Sequence, residues 1–253
     1  LDEKSWQKHV ISQIQGGWWI AQHRIDANKD GIESELVVTA RNLRNENAEP
    51  GLYWLEPSDE VKNPWSVHVL EDGKDYKPLH VTTGDLFGEG HDYDIAAAAM
   101  ETGQGVYLYR FSKGYERHAL RKDGQWHNVV AMNLDGQGRD ELVLARGKTI
   151  IHDHLIVYQY DGDKYTTRWL TPYAKADDRL IANDLDGDGL NEIISVAAND
   201  HSVDWWDVTF GECLSPAYRN AWIHLLTISV IVGICTLLVL LIRKLILRKK
   251  SEV

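Results

Sequence analysis

The sequence is poor in cysteine and in basic residues. It holds only two cysteines in 253 residues, and Cys235 lies inside a long apolar segment while Cys213 precedes it. We therefore expect no structural disulfide. The formal net charge is −11. A protein that binds nucleic acid needs a basic surface, so we expect no nucleic-acid partner.

Motifs for the common catalytic and cofactor chemistries are also absent. The sequence contains no Cys-x-x-Cys pair, no phosphate-binding loop and no Ser, His and Asp set in a nucleophile context. An enzyme acting on polysaccharide would need clustered acids and bases. His152, His154, Asp204 and Asp207 are available, but their spacing does not require such a cluster. We predict a protein that is not an enzyme.

One long apolar segment is present near the C-terminus. Residues 221–242 read AWIHLLTISVIVGICTLLVLLI and contain no Asp, Glu, Lys or Arg. A helix of this length spans about 33 Å, and the hydrocarbon core of a bilayer is about 30 Å thick. We therefore predict a transmembrane helix at 221–242, in contact with the lipid bilayer and preceded by a juxtamembrane linker at 211–220.

The residues after this segment are basic. Residues 243–253 hold five Lys or Arg and one Glu, a net charge of +4, so the total of −11 leaves −15 for residues 1–242. The positive-inside rule places this tail in the cytoplasm and the N-terminal domain in the periplasm or outside the cell, most simply at a bacterial inner membrane. The start, LDEKSWQKHV, is not a signal peptide, so we expect a leader cleaved before Leu1.

The N-terminal domain, residues 1–210, contains an internal repeat. Four stretches each run from an acidic, glycine-containing loop into a short apolar strand: RIDANKDGIESELVVTA (24–40), DLFGEGHDYDIAAAA (85–99), NLDGQGRDELVLA (133–145) and DLDGDGLNEIISVAA (184–198). The loops begin at intervals of 59, 48 and 51 residues, the length of one blade of a propeller. Each stretch is followed by an aromatic strand such as GVYLYRF (105–111).

A third element of the repeat starts with an aromatic residue, as at Trp6, Trp65, Tyr115 and Trp169. The chain begins with this third element and its repeats end on the second, so the N-terminal strand could complete the last blade. We predict an all-β fold, a small propeller of about four blades closed by the N-terminal strand, plus the C-terminal helix. An open ring completed by a partner chain is the alternative.

These loops resemble the FG-GAP/VCBS repeats of integrin α-chain propellers and of many bacterial surface proteins. DLDGDGLNEI (184–193) is the best match, and the other three stretches are degenerate. The resemblance covers residues 1–210 and implies a β-propeller with calcium in its blade loops. It implies little about activity, because function depends on sites and not on folds.

The acidic loops themselves predict structural Ca2+. Ca2+ prefers oxygen ligands at alternating positions of a tight turn. The best site comprises Asp184, Asp186, Asp188, Leu190 through its carbonyl group, and Glu192. A second site comprises Asp26, Asn28, Asp30, Ile32 through its carbonyl group, and Glu35. A weak third site comprises Asn133, Asp135, Gln137 and Glu141. In the second loop, Phe87 replaces an oxygen ligand, so we expect packing and hydrogen bonds to hold that loop.

Three functions remain open on the sequence alone. The first is a membrane-anchored accessory or scaffold subunit that stabilises or docks a larger membrane protein complex on its periplasmic side. Its partners would be other membrane subunits, contacted through the propeller and through small or polar residues of the helix such as Gly233. The second is a calcium-dependent surface adhesin or ligand-binding receptor. A polysaccharide-active enzyme is the least favoured.

Overall fold

The computed structural model describes residues 8–12, 18–41, 50–60, 62–146, 154–171, 179–197 and 202–206. All of them belong to one compact unit, Leu1–Phe210, and a second unit, Gly211–Val253, lies outside the described residues. The predicted linker, transmembrane helix and basic tail therefore lie outside them as well. Within the described ranges, no helix has the length and apolar character needed to cross a membrane.

The regular structure of the described residues is almost entirely β-strand. The strands are β1 (Trp18–Ile25), β2 (Glu35–Arg41), β3 (Gly51–Glu56), β4 (Ser66–Glu71), β5 (His80–Gly84), β6 (Asp94–Ala98), β7 (Val106–Arg110), β8 (Glu116–Arg121), β9 (Trp126–Met132), β10 (Glu141–Arg146), β11 (His154–Tyr160), β12 (Tyr165–Thr171), β13 (Arg179–Asn183), β14 (Glu192–Ala197) and β15 (Ser202–Trp206). One short 3-10 turn spans Phe111–Lys113. The predicted all-β class is confirmed for this part of the chain.

The strands form four antiparallel sheets, and within each sheet the strands pair in chain order. Sheet 1 is β1–β4, sheet 2 is β5–β8, sheet 3 is β9–β12 and sheet 4 is β13–β15. Each sheet corresponds to one sequence repeat, and its first two strands are joined by an acidic loop. Sheet 4 has three strands within the described residues, and no closed propeller is found among those residues.

The sheets pack face to face in chain order. The first strands are neighbours in space, because β1 contacts β5, β5 contacts β9 and β9 contacts β13. We call the face of a sheet that packs on the next sheet its front face, and the opposite face its rear face. Successive residues of a strand point to opposite faces, so one strand contributes to two hydrophobic layers.

Sheet 3 shows this division clearly. Leu144 and Ile156 face the rear and pack with Ala98 and Leu108 of sheet 2. Val143 and Val157 face the front and pack with Leu180 and Ile193 of sheet 4. All of these residues are at most 6% exposed. A strand buried on both faces reads as a continuous apolar run, as ELVLAR does here, rather than as an alternating pattern.

The two end faces of this series of sheets differ. On the rear face of sheet 1, Val38, Ala40, Tyr53 and Leu55 are buried, with Ile11 and Trp65 packed on them. On the front face of sheet 4, Ile181 is 50% exposed, Val203 is 70% exposed and Trp205 is 56% exposed. The register places Trp205 opposite Ile194, which is opposite Ile181, so this front face is an apolar row across three strands.

The N-terminal segment 8–12 lies against the rear face of sheet 1. The backbone N–H of Trp65 donates to the carbonyl oxygen of Ile11 at 2.7 Å. Ile11 follows Trp6 by five residues, as Leu70 follows Trp65 and Leu120 follows Tyr115. Leu70 packs on the rear of sheet 2 and Leu120 on the rear of sheet 3. Ile11 therefore occupies the same place in the repeat, but the described residues show no pairing of this segment with β15.

Candidate metal-binding loops

The four acidic loops share left-handed residues at two positions. We number them by sheet: loop 1 is 26–35, loop 2 is 85–94, loop 3 is 133–141 and loop 4 is 184–192. The fourth and sixth residues of every loop are left-handed, with φ between 66° and 92°: Lys29, Gly88, Gly136 and Gly187, then Gly31, Gly90, Gly138 and Gly189. Glycine adopts this conformation without steric cost, whereas Lys29 in loop 1 adopts it at a steric cost.

The last residue of each loop is a buried acid that begins the second strand of its sheet. These acids are Glu35, Asp94, Glu141 and Glu192, and each is at most 3% exposed. Each carboxylate accepts a backbone N–H from near the start of its own loop, at 2.6 to 3.3 Å: Ala27, Phe87, Leu134 and Leu185 are the donors. The acid therefore links the end of the loop to its start without a bound ion.

Neighbouring loops are joined to one another. The backbone N–H of Asp85 in loop 2 donates to Asp140 Oδ2 of loop 3 at 3.0 Å. The side-chain amide of Asn191 in loop 4 donates to the carbonyl oxygen of Asn133 in loop 3 at 3.0 Å. Loops 2, 3 and 4 therefore form one continuous edge of the molecule.

Loop 4 brings together the four acids that the sequence assigns to its best calcium site. Ligand oxygens of Asp184, Asp186, Asp188 and Glu192 all lie within 4.8 Å of one another. The three aspartates are exposed and accept backbone N–H groups of their own loop, including those of Gly187 and Gly189. None of the four pairs with a Lys, Arg or His among the described residues. Clustered carboxylates without a counter-charge are a suitable donor set for a hard divalent cation.

Loop 1 gathers its predicted ligands less tightly. Asp26 accepts the N–H groups of Asp30 and Gly31, and Asn28 donates to Asp30 Oδ2 at 3.2 Å. The predicted carbonyl ligand, that of Ile32, accepts the N–H of Ser34 at 2.8 Å. Asp26, Asp30 and Glu35 do not meet the 4.8 Å separation that loop 4 meets.

Loop 3 satisfies its carboxylates with an amide. The buried Gln159 side chain donates to Asp135 Oδ2 at 2.6 Å and to Glu141 Oε1 at 3.0 Å. Asn133 accepts the N–H of Gly136, and Gln137 is exposed. Gln159 therefore gives each of the two charged members of this weak site a hydrogen-bond donor from the same sheet.

Loop 2 contains a cluster that the sequence interpretation missed. Ligand atoms of Glu89, His91 and Asp94 lie within 4.8 Å of one another. His91 is the seventh residue of its loop, where loops 1 and 4 have Ile32 and Leu190. The sequence does show a histidine between two acids. A search for oxygen ligands at alternating positions, however, leaves a histidine out. The prediction that hydrogen bonds hold this loop agrees with the bonds from Glu89 and Gly90 to Asp85.

Burial shifts the pKa of several closing acids upward. Desolvation raises the pKa of Asp94 to about 6 and that of Glu141 to about 7, against bonds from backbone N–H groups that lower it. The pKa of Glu35 is raised for the same reason. The pKa of Glu89 is lowered from its usual value: burial would raise it, but hydrogen bonds from Arg110 and Ser112 outweigh that effect. In loop 2, the carboxylate of Glu89 is paired with the guanidinium of Arg110, whereas burial disfavours the charged form of Asp94.

Comparison with known proteins adds no family assignment. No protein-family model matches the sequence, and no curated protein matches it.

Proposed function

We propose that this chain is a membrane-anchored, non-catalytic β-propeller module that acts as an accessory or scaffold subunit of a larger membrane protein complex. The observation that carries the proposal is the exposed apolar front face of sheet 4, formed by Ile181, Val203 and Trp205. The front faces of the other three sheets are covered by the next sheet in the chain. A contiguous exposed apolar face of this kind is typical of a protein–protein contact.

The propeller assignment rests on the repeat and on the packing of the sheets. Four meander sheets with neighbouring first strands are the expected arrangement of blades. Ile11 packs on the rear face of sheet 1, yet the front face of sheet 4 is exposed, which favours the open ring that a partner chain completes. The resemblance of loop 4 to FG-GAP/VCBS loops points to the same fold.

Calcium is proposed as a structural ion of loop 4. Asp184, Asp186, Asp188 and Glu192 would hold it, with the carbonyl group of Leu190 as a further ligand. The ion would neutralise the crowded carboxylates and stabilise the junction of β13 and β14. Loops 1 and 3 are weaker candidates, because amide groups already contact their acids.

The partner is proposed to be another membrane protein with an apolar patch on its periplasmic domain. The location follows from the predicted helix at 221–242, whose basic flank places the N-terminal domain outside the cytoplasm. Apolar contacts at the centre of an interface contribute most of the binding free energy. A single helix also holds the module beside its partner, which raises the effective concentration of one for the other.

The proposal is tested by copurification of the full-length chain in mild detergent, with identification of any stoichiometric integral membrane protein. The V203D variant places a charge on the front face of sheet 4. The matched control is A119D on β8, where Ala119 is exposed and belongs to sheet 2, which is not next to sheet 4 in an open or a closed ring. We expect the partner to be lost from V203D and kept by A119D, with equal thermal stability of the two variants.

Two results would overturn the assignment. A wild-type chain that purifies only as a lone monomer would argue against an accessory subunit. A large fall in the melting temperature of V203D, but not of A119D, would show that sheet 1 of the same chain covers this face in a closed ring.

A further inference from the structure

Loop 2 holds an imidazole and two carboxylates in one place. Ligand atoms of Glu89, His91 and Asp94 lie within 4.8 Å of one another. They stand at the same edge of the fold as loop 4 but differ in chemistry. Loop 4 offers only oxygen atoms, whereas loop 2 offers a nitrogen as well.

One ring nitrogen of the histidine faces a carboxylate. His91 Nε2 lies 3.2 Å from Glu89 Oε2. The ring is fixed in place, because it stacks on Tyr93 and meets the edge of Phe111 with centroids 4.9 Å apart.

The two carboxylates are oriented by groups behind them. Ser112 donates to Glu89 Oε1 at 2.8 Å and Arg110 also binds that oxygen, which leaves Oε2 towards His91. The two oxygens of Asp94 accept the backbone N–H groups of Phe87 and Phe111. Such second-shell partners fix ligand geometry in metal sites.

We propose that loop 2 is a binding site for a borderline divalent transition-metal ion, of which Zn2+ is the type case, with Glu89, His91 and Asp94 as its protein ligands. Imidazole and carboxylate ligands suit Zn2+ and its neighbours, while Ca2+ prefers oxygen alone. Three protein ligands leave one position of a tetrahedral site for water.

Such an ion would tie three parts of sheet 2 together. Glu89 and His91 belong to the loop between β5 and β6, and Asp94 begins β6. Asp94 also receives the N–H of Phe111, which follows β7. The role assigned to the ion is therefore structural, and it is separate from the calcium loop and from the docking face of sheet 4.

The test is a Zn2+ titration by calorimetry on the full-length chain in detergent, with excess Ca2+ present to fill the oxygen sites. We expect one high-affinity equivalent of Zn2+. The H91Q variant should weaken binding by at least about tenfold, the lower end of the effect of losing even an outer-shell partner. H118Q removes an exposed histidine of the same sheet and D186N disables loop 4, and both should bind Zn2+ as the wild type does.

A second measurement does not depend on a variant that folds. Electron paramagnetic resonance of the wild-type chain with one equivalent of Cu2+ should show coupling to a single imidazole nitrogen. Absence of that coupling, an unchanged Zn2+ affinity in H91Q, or loss of the Zn2+ equivalent in D186N would each overturn the assignment to loop 2.

Discussion

The third and fourth repeats have the same strand order around an acidic loop but different surroundings. Sheet 3 is covered on both faces, by sheet 2 behind it and sheet 4 in front. Sheet 4 is covered at its rear by sheet 3, while its front face leaves Val203 70% exposed. The residue equivalent to Val203 in sheet 3 is Leu155, which is fully buried. The repeat thus sets the strands, and the neighbouring sheet determines which apolar side chains become core.

The loops of these two repeats differ in the same way. Loop 3 satisfies Asp135 and Glu141 with the amide of Gln159 from its own sheet. Loop 4 has no such amide among its described contacts, and its three aspartates face solvent. One loop is complete within the chain, whereas the other has the composition of a loop that depends on an ion.

The largest difference between the repeats should appear on truncating their equivalent front-face residues. L155A removes a buried side chain and should cost about 2–5 kcal/mol of the free energy of unfolding. V203A removes an exposed one and should cost about 0.5 kcal/mol or less. Urea unfolding of both variants measures the difference. Equal losses would show that the two front faces are equally buried in solution.

Calcium should raise the melting temperature through loop 4 and not through loop 3. A ligand that binds only the folded state stabilises it by about 2.7 kcal/mol at 100 times its dissociation constant. We expect the wild type and the D135N variant to melt at a higher temperature in Ca2+ than in chelator. D186N should lose this increase. A gain that survives in D186N would place the ion in another loop.

Alanine variants of two left-handed glycines distinguish the cost of backbone strain from the cost of a close packing contact. G136A and G187A each place an alanine at a positive φ, which costs about 1–2 kcal/mol. A Cβ at Gly136 would lie 3.2 Å from Leu190 Cδ2, whereas one at Gly187 meets nothing within 4 Å. We therefore expect G136A to be the less stable variant when both are unfolded by urea in chelator. The reverse order would contradict the contact between loops 3 and 4.

The smallest effect is a pH dependence that originates in loop 3. The pKa of Glu141 is about 7 in the folded chain and 4.5 when unperturbed. Between these values the folded state holds a proton that the unfolded state has released, so stability falls as the pH rises. The loss should be on the order of 1 kcal/mol in chelator. E141Q should reduce the slope of unfolding free energy against pH between 5 and 7, to which Asp94, with a pKa of about 6, also contributes. An unchanged slope would remove Glu141 as a source.

Much of the fold was predictable because its signals are local. The loops could be placed by their acids and glycines, and the apolar runs after them became β2, β6, β10 and β14. The closing acids Glu35, Glu141 and Glu192 were identified from their spacing. Their bonds to backbone N–H groups were not, because nothing in the spacing shows where the carboxylate points.

Other features could not be predicted, because they depend on distant residues. Gln159 lies 18 residues from Glu141 and 24 from Asp135, and only the pairing of β10 with β11 brings it to them. His91 looked like one loop residue among several until Arg110 and Phe111 fixed its neighbours. The exposure of Val203 and Trp205 is likewise absent from the pattern, since VDWW resembles any other aromatic strand of the repeat.

The sequence alone determined the repeat, the strand and loop positions, the acidic character of the loops and the presence of a long apolar segment at 221–242. These depend on residue type and short spacing, which act over a few residues of chain. The tertiary structure decided which face of each sheet is core, which acids meet and which are already satisfied by an amide or an arginine. Those outcomes depend on packing between sheets, which brings into contact residues that are far apart in the chain.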